Sequence, residues 1–79
     1  MTNSPKRDKT ILVVEDEETI CDLARIFLER EGYDVSTVTT GGDTLAWLQQ
    51  HHADLLLLDI GLPDMSGQQL LDHLDERNM

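Results

Sequence analysis

The sequence is poor in positive charge, and this shortage limits what the chain can bind. It has 79 residues, of which six are Lys or Arg and 16 are Asp or Glu, so its formal net charge is −10 at pH 7. Affinity for phosphate polymers and anionic lipids comes mainly from Lys and Arg. We therefore expect this chain to bind neither nucleic acid nor a membrane.

Cysteine and long apolar segments are also scarce. Cys21 is the only cysteine, which excludes an internal disulfide and favours a reducing, cytoplasmic compartment. No segment approaches the ~20 apolar residues that span a bilayer, and no apolar stretch of signal-peptide length follows the charged N-terminus. With 39% hydrophobic and 28% charged residues, the chain has the composition of one small globular domain of marginal stability.

The sequence does contain an alternation of short apolar runs and amphipathic segments. Residues 1–9 are polar and lack periodicity, which predicts a flexible tail. Three strands are predicted, at Thr10–Val14, 33–38 and 54–60. The first and third are apolar, as in a parallel sheet buried on both faces, whereas the second is half polar, as at a sheet edge.

A helix is predicted after each strand. The first carries an apolar stripe on one face, formed by Ile20, Leu23, Ala24, Phe27 and Leu28. Gly32 predicts its left-handed stop, and capping boxes at residues 40–43 and 66–69 predict where the next two helices begin. The order βαβαβα implies an α/β fold over residues 10–79, with a parallel sheet and right-handed crossovers.

Acidic residues follow the two apolar strands. Glu15 and Asp16 come directly after the first strand, and Asp59 lies at the end of the third. Ligands of open parallel sheets bind outside the carboxyl ends of the strands, so neighbouring strands would bring the three carboxylates together. A hard cation such as Mg²⁺ relieves their repulsion, and a carboxylate held there can attack phosphorus. Taken singly, the same acids are more typical of helix caps or solvated groups.

A known family carries the same combination of motifs, found here in residues 11–17, 32–33, 42–48 and 54–67. The sequence resembles the N-terminal part of a receiver domain, the module that response regulators of two-component signalling use to accept phosphate. The resemblance implies a flavodoxin-like fold whose five parallel strands lie in the order 2-1-3-4-5. The present chain would form the first βαβαβα part of it, truncated before the last two strands.

The resemblance also implies roles for individual residues. Asp59 would be the phospho-acceptor, Asp16 and Asp59 would bind Mg²⁺ directly, and Gly61 would offer its backbone carbonyl to the metal. Glu15, which stands where many relatives carry Asp, would act through water or from just outside the ligands. A sensor histidine kinase or phosphotransfer protein would supply the phosphoryl group. The chain would be a signalling module and no enzyme beyond its own phosphorylation and dephosphorylation.

Two groups of the family's phosphoryl site have no counterpart in this sequence. They are a hydroxyl residue at the end of the fourth strand and a lysine at the end of the fifth, and no lysine follows Lys9 here. We therefore expect impaired phosphorylation or, as the alternative, a catalytically silent fragment that acts through protein contacts. In the order 2-1-3 the third strand would also be an exposed edge, which predicts either a truncated receiver or a chain that self-associates through this strand.

Other functional interpretations are weaker. A Mg²⁺-dependent phosphohydrolase would need a second acid two residues after Asp59, where this chain has glycine. His51 and His52 are adjacent and cannot share a helix face, so we expect no metal site there. Cys21 is expected to be a packed thiol, Trp47 a partly buried helix residue, and His73 a solvent-facing side chain.

Overall fold

The fold alternates strands and helices as the sequence predicts. A computed structural model describes residues 9–59 and 61–77, with side chains described up to residue 75. The elements are β1 (Thr10–Val14), α1 (Glu18–Arg30), β2 (Asp34–Val38), α2 (Gly41–Gln50), β3 (Leu55–Leu58) and α3 (Gly67–Arg77). The predicted strand at 33–38 begins one residue later, and the one at 54–60 is shorter, with Ile60 outside the described residues. Residues 1–8 of the predicted tail lie outside them too.

The three strands form a parallel sheet in the order β2-β1-β3. β1 pairs with both neighbours, so that Val14 lies level with Val38 on one side and with Leu58 on the other. This central position explains why the apolar run of β1 is almost completely buried. The half-polar β2 is an edge strand, as predicted, whereas the apolar β3 is the opposite edge of the described sheet.

Helices cover both faces of the sheet. α1 packs on one face over a cluster formed by Ile11, Val13 and Val35. On the other face, α2 and α3 enclose a larger cluster centred on Leu12, Val14, Leu62 and Leu70. None of the helices in the described part of the chain is long and apolar enough to cross a membrane.

The predicted helix boundaries are confirmed by their hydrogen bonds. Thr40 Oγ1 accepts the N–H of Asp43 at 3.0 Å, which caps α2. At the start of α3, Ser66 Oγ accepts the N–H of Gln69 at 3.1 Å and Gln69 Oε1 accepts the N–H of Ser66 at 2.9 Å, which completes a reciprocal capping box. Gly32 has φ = 97° just after α1, a left-handed conformation that glycine adopts without a steric penalty.

The sheet covers only part of the apolar stripe of α1. The residues of this stripe that pack on the sheet are Ala24 and Leu28, joined by the buried Cys21. The remaining members are exposed: Ile20 at 43%, Leu23 at 62% and Phe27 at 62%. The helical spacing correctly predicted a helix with these apolar residues, but the described sheet is too narrow to cover all of them.

Arg25 explains which side of α1 is covered. Its guanidinium donates to the carbonyl of Val35 and to the hydroxyl of Thr37, both at 3.1 Å, so this side of the helix faces β2. Leu23 and Phe27 each lie two residues from Arg25, about 160° away around the helix, and therefore point away from β2. On the face of the sheet that α1 covers, Leu55 and Leu57 of β3 are also exposed, at 51% and 40%.

Candidate metal and phosphorylation site

Three carboxylates meet at the carboxyl edge of the sheet. Glu15 and Asp16 follow β1, Asp59 follows β3, and one ligand atom from each lies within 4.8 Å of the others. The ladder continues one residue past the strands: the Glu15 N–H donates to the carbonyl of Val38 at 3.1 Å and the Asp59 N–H to that of Val14 at 2.9 Å. β1 and β3 are parallel and end level with each other. These two backbone hydrogen bonds therefore hold the Cα atoms of Glu15 and Asp59 at the same edge of the sheet.

The acidic side chains of the cluster repel one another. Burial raises the pKa of the Glu15 carboxyl, the charges of Asp59 and Asp16 raise it further, and a hydrogen bond from the Glu17 N–H opposes this rise. Asp16 is exposed while Glu15 and Asp59 are half-buried, so the cluster remains open to solvent on one side. Oxygen ligands of this type, with negative charge in excess and room for water, fit Mg²⁺.

Gly61 lies in the loop that leads away from Asp59. It pairs with Ser66 in an isolated antiparallel bridge, which closes the loop, and the side chain of Leu62 is buried in the core at 8% exposure. A Cβ atom at position 61 would meet nothing within 4 Å. The position therefore tolerates any side chain, as a backbone-carbonyl ligand would allow.

Asp64 is a residue of this loop that sequence reasoning missed. Its carboxylate accepts the N–H of Gly41 at 2.8 Å and that of Gly42 at 2.9 Å, and these bonds lower the pKa of the Asp64 carboxyl. Met65 packs so closely on Gly41 that a Cβ atom there would lie 2.5 Å from it. The residue follows Pro63, which indicates a local turn and gives no sign of a bond to a helix 22 residues earlier.

The other candidate residues take no part in the cluster. Within residues 9–59 and 61–77, Glu15, Asp16 and Asp59 form the one group of three potential metal ligands. Cys21 is buried, as predicted, and its Sγ donates to the carbonyl of Glu15 at 3.2 Å. His51 stacks on the half-buried Trp47, while His52 and His73 are exposed.

The structure thus defines an α/β protein with an acidic site at the carboxyl edge of a parallel sheet. The sequence profile described as "Response regulator receiver domain" matches residues 11–79. The chain therefore belongs to the family of response regulator receiver domains, as its resemblance implied. Domains of this family are signalling modules.

Two curated relatives illustrate the similarity. The regulatory protein VanRc of Enterococcus gallinarum is 41% identical over 64 residues, which cover 81% of this chain and 28% of that protein. The alkaline phosphatase synthesis transcriptional regulatory protein PhoP of Bacillus subtilis is 39% identical over 72 residues, which cover 91% and 30%. The chain thus spans less than a third of the length of these relatives.

Solved receiver structures share the fold. The response regulator TrrA of Thermotoga maritima, crystallised in complex with Mg²⁺-BeF, matches with a TM-score of 0.82 and 35% identity over 87% of this chain and 60% of that one. The receiver domain of Methanospirillum hungatei matches with a TM-score of 0.83 and 40% identity, over 87% and 55%. The three strands and three helices described above therefore correspond to just over half of each solved chain.

Proposed function

We propose that the chain is a receiver module that accepts a phosphoryl group on Asp59 with the help of Mg²⁺. The observation that carries the proposal is the convergence of Glu15, Asp16 and Asp59 within 4.8 Å at the carboxyl edge of the sheet. Membership of the family supports the same role. So does TrrA, a relative of similar fold that was crystallised with Mg²⁺-BeF.

Each residue of the site has a distinct task in this proposal. Asp16, Asp59 and the backbone carbonyl of Gly61 would hold the metal, and Glu15 would contact it through water. Bound Mg²⁺ would supply positive charge for the phosphoryl oxygens. A carboxylate oxygen of Asp59 attacks the phosphorus of a phosphohistidine, so that a P–O bond forms while the P–N bond breaks and the histidine nitrogen leaves. The product is an aspartyl phosphate.

The proposed donor is a sensor histidine kinase or a phosphotransfer protein. A structure of histidine kinase ThkA in complex with TrrA supports a kinase partner for this chain. The single cysteine, Cys21, fits a reducing compartment, and we place the module in the cytoplasm. The excess of acidic residues opposes binding to nucleic acid.

Residues 1–79 on their own should be phosphorylated slowly. No lysine follows Lys9 in the sequence, and Lys9 lies at the opposite end of β1, about 16 Å away for five residues of extended strand. Loss of one group that stabilises a developing oxyanion typically costs ~2.7–4 kcal/mol, or about 10²–10³ in rate. We expect transfer to Asp59 that is slow, and a catalytically silent fragment is the alternative.

Intact-mass measurements test the proposal. The chain is incubated with a small acyl phosphate and Mg²⁺, beside Asp59→Asn and the control Asp22→Asn, which removes an exposed acid outside the cluster. We expect a slow gain of one phosphoryl group in the wild type and in Asp22→Asn, and none in Asp59→Asn. A kinase that binds the chain but transfers no label to Asp59 would favour the silent fragment, and equal labelling of Asp59→Asn would refute the assignment.

We also propose that the chain self-associates through β3. In the described sheet the outer edge of this strand is unpaired, and Leu55 and Leu57 border a groove of about 410 Å³ beside α1. In an antiparallel pair, residues directly opposite each other point to the same face. Two β3 strands related by a twofold axis perpendicular to the sheet would therefore place Leu55 opposite the second copy's Leu57, centred on Leu56, and join the two exposed patches.

Light scattering after size-exclusion chromatography tests this association. We expect a dimer whose population rises with concentration and with salt, because salt screens the repulsion between two chains of net charge −10. Leu57→Lys should give a monomer. Leu71→Lys, which changes a leucine of similar exposure (47%) on α3, should leave the dimer intact. A monomeric wild type at high concentration and high salt would contradict the proposal.

A further inference from the structure

We propose that Asp64 is a positioning residue for the metal site, because it ties the loop that carries Gly61 to the N-terminus of α2. The inference rests on the proposed function, in which the Gly61 carbonyl is one of the metal ligands. Asp64 itself would not touch the metal or the phosphoryl group. Its role would be to hold the carbonyl-bearing loop beside Asp16 and Asp59.

The tie joins two segments that are distant in sequence. Both carboxylate oxygens of Asp64 are engaged, one by the N–H of Gly41 at 2.8 Å and the other by that of Gly42 at 2.9 Å. Charge-assisted bonds to backbone N–H groups at a helix N-terminus are among the stronger hydrogen bonds of proteins. The side chain therefore fixes both the position and the orientation of the loop relative to α2.

The loop transmits this restraint to Gly61 over a short distance. Gly61 and Ser66 pair in an antiparallel bridge, so the residues between them form a closed turn with Asp64 near its tip. Leu62 anchors one side of the turn in the core, and Asp64 holds the other. Without Asp64 the turn would remain attached through Leu62 and through the packing of Met65 on Gly41, but no hydrogen bond would fix its orientation relative to α2, and the Gly61 carbonyl would shift relative to the acids.

Capping of α2 alone does not account for Asp64. The helix already has a cap of its own, since Thr40 Oγ1 accepts the N–H of Asp43 at 3.0 Å. Asp64 satisfies two further N–H groups at the helix start, those of Gly41 and Gly42, so it both caps α2 and ties the loop to it. The structural role and the positioning role can be separated, because Thr40→Ala weakens the helix start without altering the bonds of Asp64.

The experiment measures Mg²⁺ binding to the full chain by isothermal titration calorimetry. Asp64→Ala removes both bonds and should weaken binding about tenfold, the lower end of the range for groups that orient a metal ligand. Asp64→Asn retains one acceptor oxygen and should fall between it and the wild type. Two controls should bind like the wild type: Thr40→Ala, which loses the helix cap, and Asp43→Asn, which removes one negative charge from the first turn of α2.

The outcomes separate this inference from the proposed function. Asp64→Ala with wild-type affinity, or an equal loss in Thr40→Ala or Asp43→Asn, would overturn the positioning role while Mg²⁺ binding still depended on Asp59. Wild-type binding that is unchanged in Asp59→Asn would overturn the proposed site and the inference together. If circular dichroism shows that Asp64→Ala does not fold, the Asp64→Asn variant decides by the same criteria.

Discussion

Replacing Asp59 by asparagine should stabilise the metal-free protein and abolish its response to Mg²⁺. Two unit charges at 4.8 Å, the upper limit for the separations between the ligand atoms of the cluster, repel by about 0.9 kcal/mol in water and by about 3.5 kcal/mol at an effective dielectric constant of 20. Asp59 takes part in two of the three repulsive pairs. Because Asp16 is exposed and its partners are only half-buried, the value for water is the better guide. After discounting for screening, we expect a gain of about 1 kcal/mol.

The gain would be large for this protein, since a core of this size rarely supplies more than ~3–5 kcal/mol. Urea unfolding followed by circular dichroism, in EDTA and in Mg²⁺, measures both effects. Mg²⁺ at 100 times its dissociation constant should stabilise the wild type by about 2.7 kcal/mol and should not stabilise Asp59→Asn. Asp22→Asn should respond to Mg²⁺ as the wild type does. An Asp59→Asn variant that is no more stable in EDTA and keeps the Mg²⁺ response would refute the electrostatic reasoning.

Three further predictions concern other residues. The pKa of Glu15 is raised, so its contribution to stability is present below about pH 4.5, the ordinary value of that pKa, and is lost as the pH rises through the pKa of the folded state. Glu15→Gln should therefore reduce the fall in the free energy of unfolding between pH 4 and 7, which urea titrations measure. Leu12→Ala removes most of a fully buried side chain and should lower the free energy of unfolding by ~2–5 kcal/mol. This loss is enough to unfold the chain, which near-ultraviolet circular dichroism would detect. Ser66→Ala removes one bond of the α3 capping box and should lower the free energy of unfolding by about 1 kcal/mol.

The sequence predicted the elements well because their signals are local. Helix caps such as Thr40 and Ser66, and the left-handed Gly32, act within a few residues, and the structure confirms all three. The acidic cluster could also be predicted, because parallel strands that are neighbours must end at the same edge of the sheet.

Features that depend on distant segments could not be predicted in the same way. The helical spacing assigned Leu23 and Phe27 to the apolar stripe of α1. Their burial, however, depends on the width of the sheet beneath the helix and on which side of the helix Arg25 holds against β2 by its hydrogen bonds. The tie between Asp64 and α2 requires two segments to be docked first, and no spacing within either of them encodes it.

Asp59 follows an edge strand of the described sheet, so any association through β3 would take place beside the proposed phosphorylation site. β2, at the polar edge, ends beside Glu15, whereas β3 is followed by Asp59, the proposed phospho-acceptor. A strand that docks along β3 in parallel orientation would therefore have its carboxyl end beside Asp59, whereas an antiparallel strand, as in the proposed dimer, would have its amino end there. An ammonium group delivered in this way would supply positive charge beside Asp59, and a hydroxyl group would supply a hydrogen-bond donor.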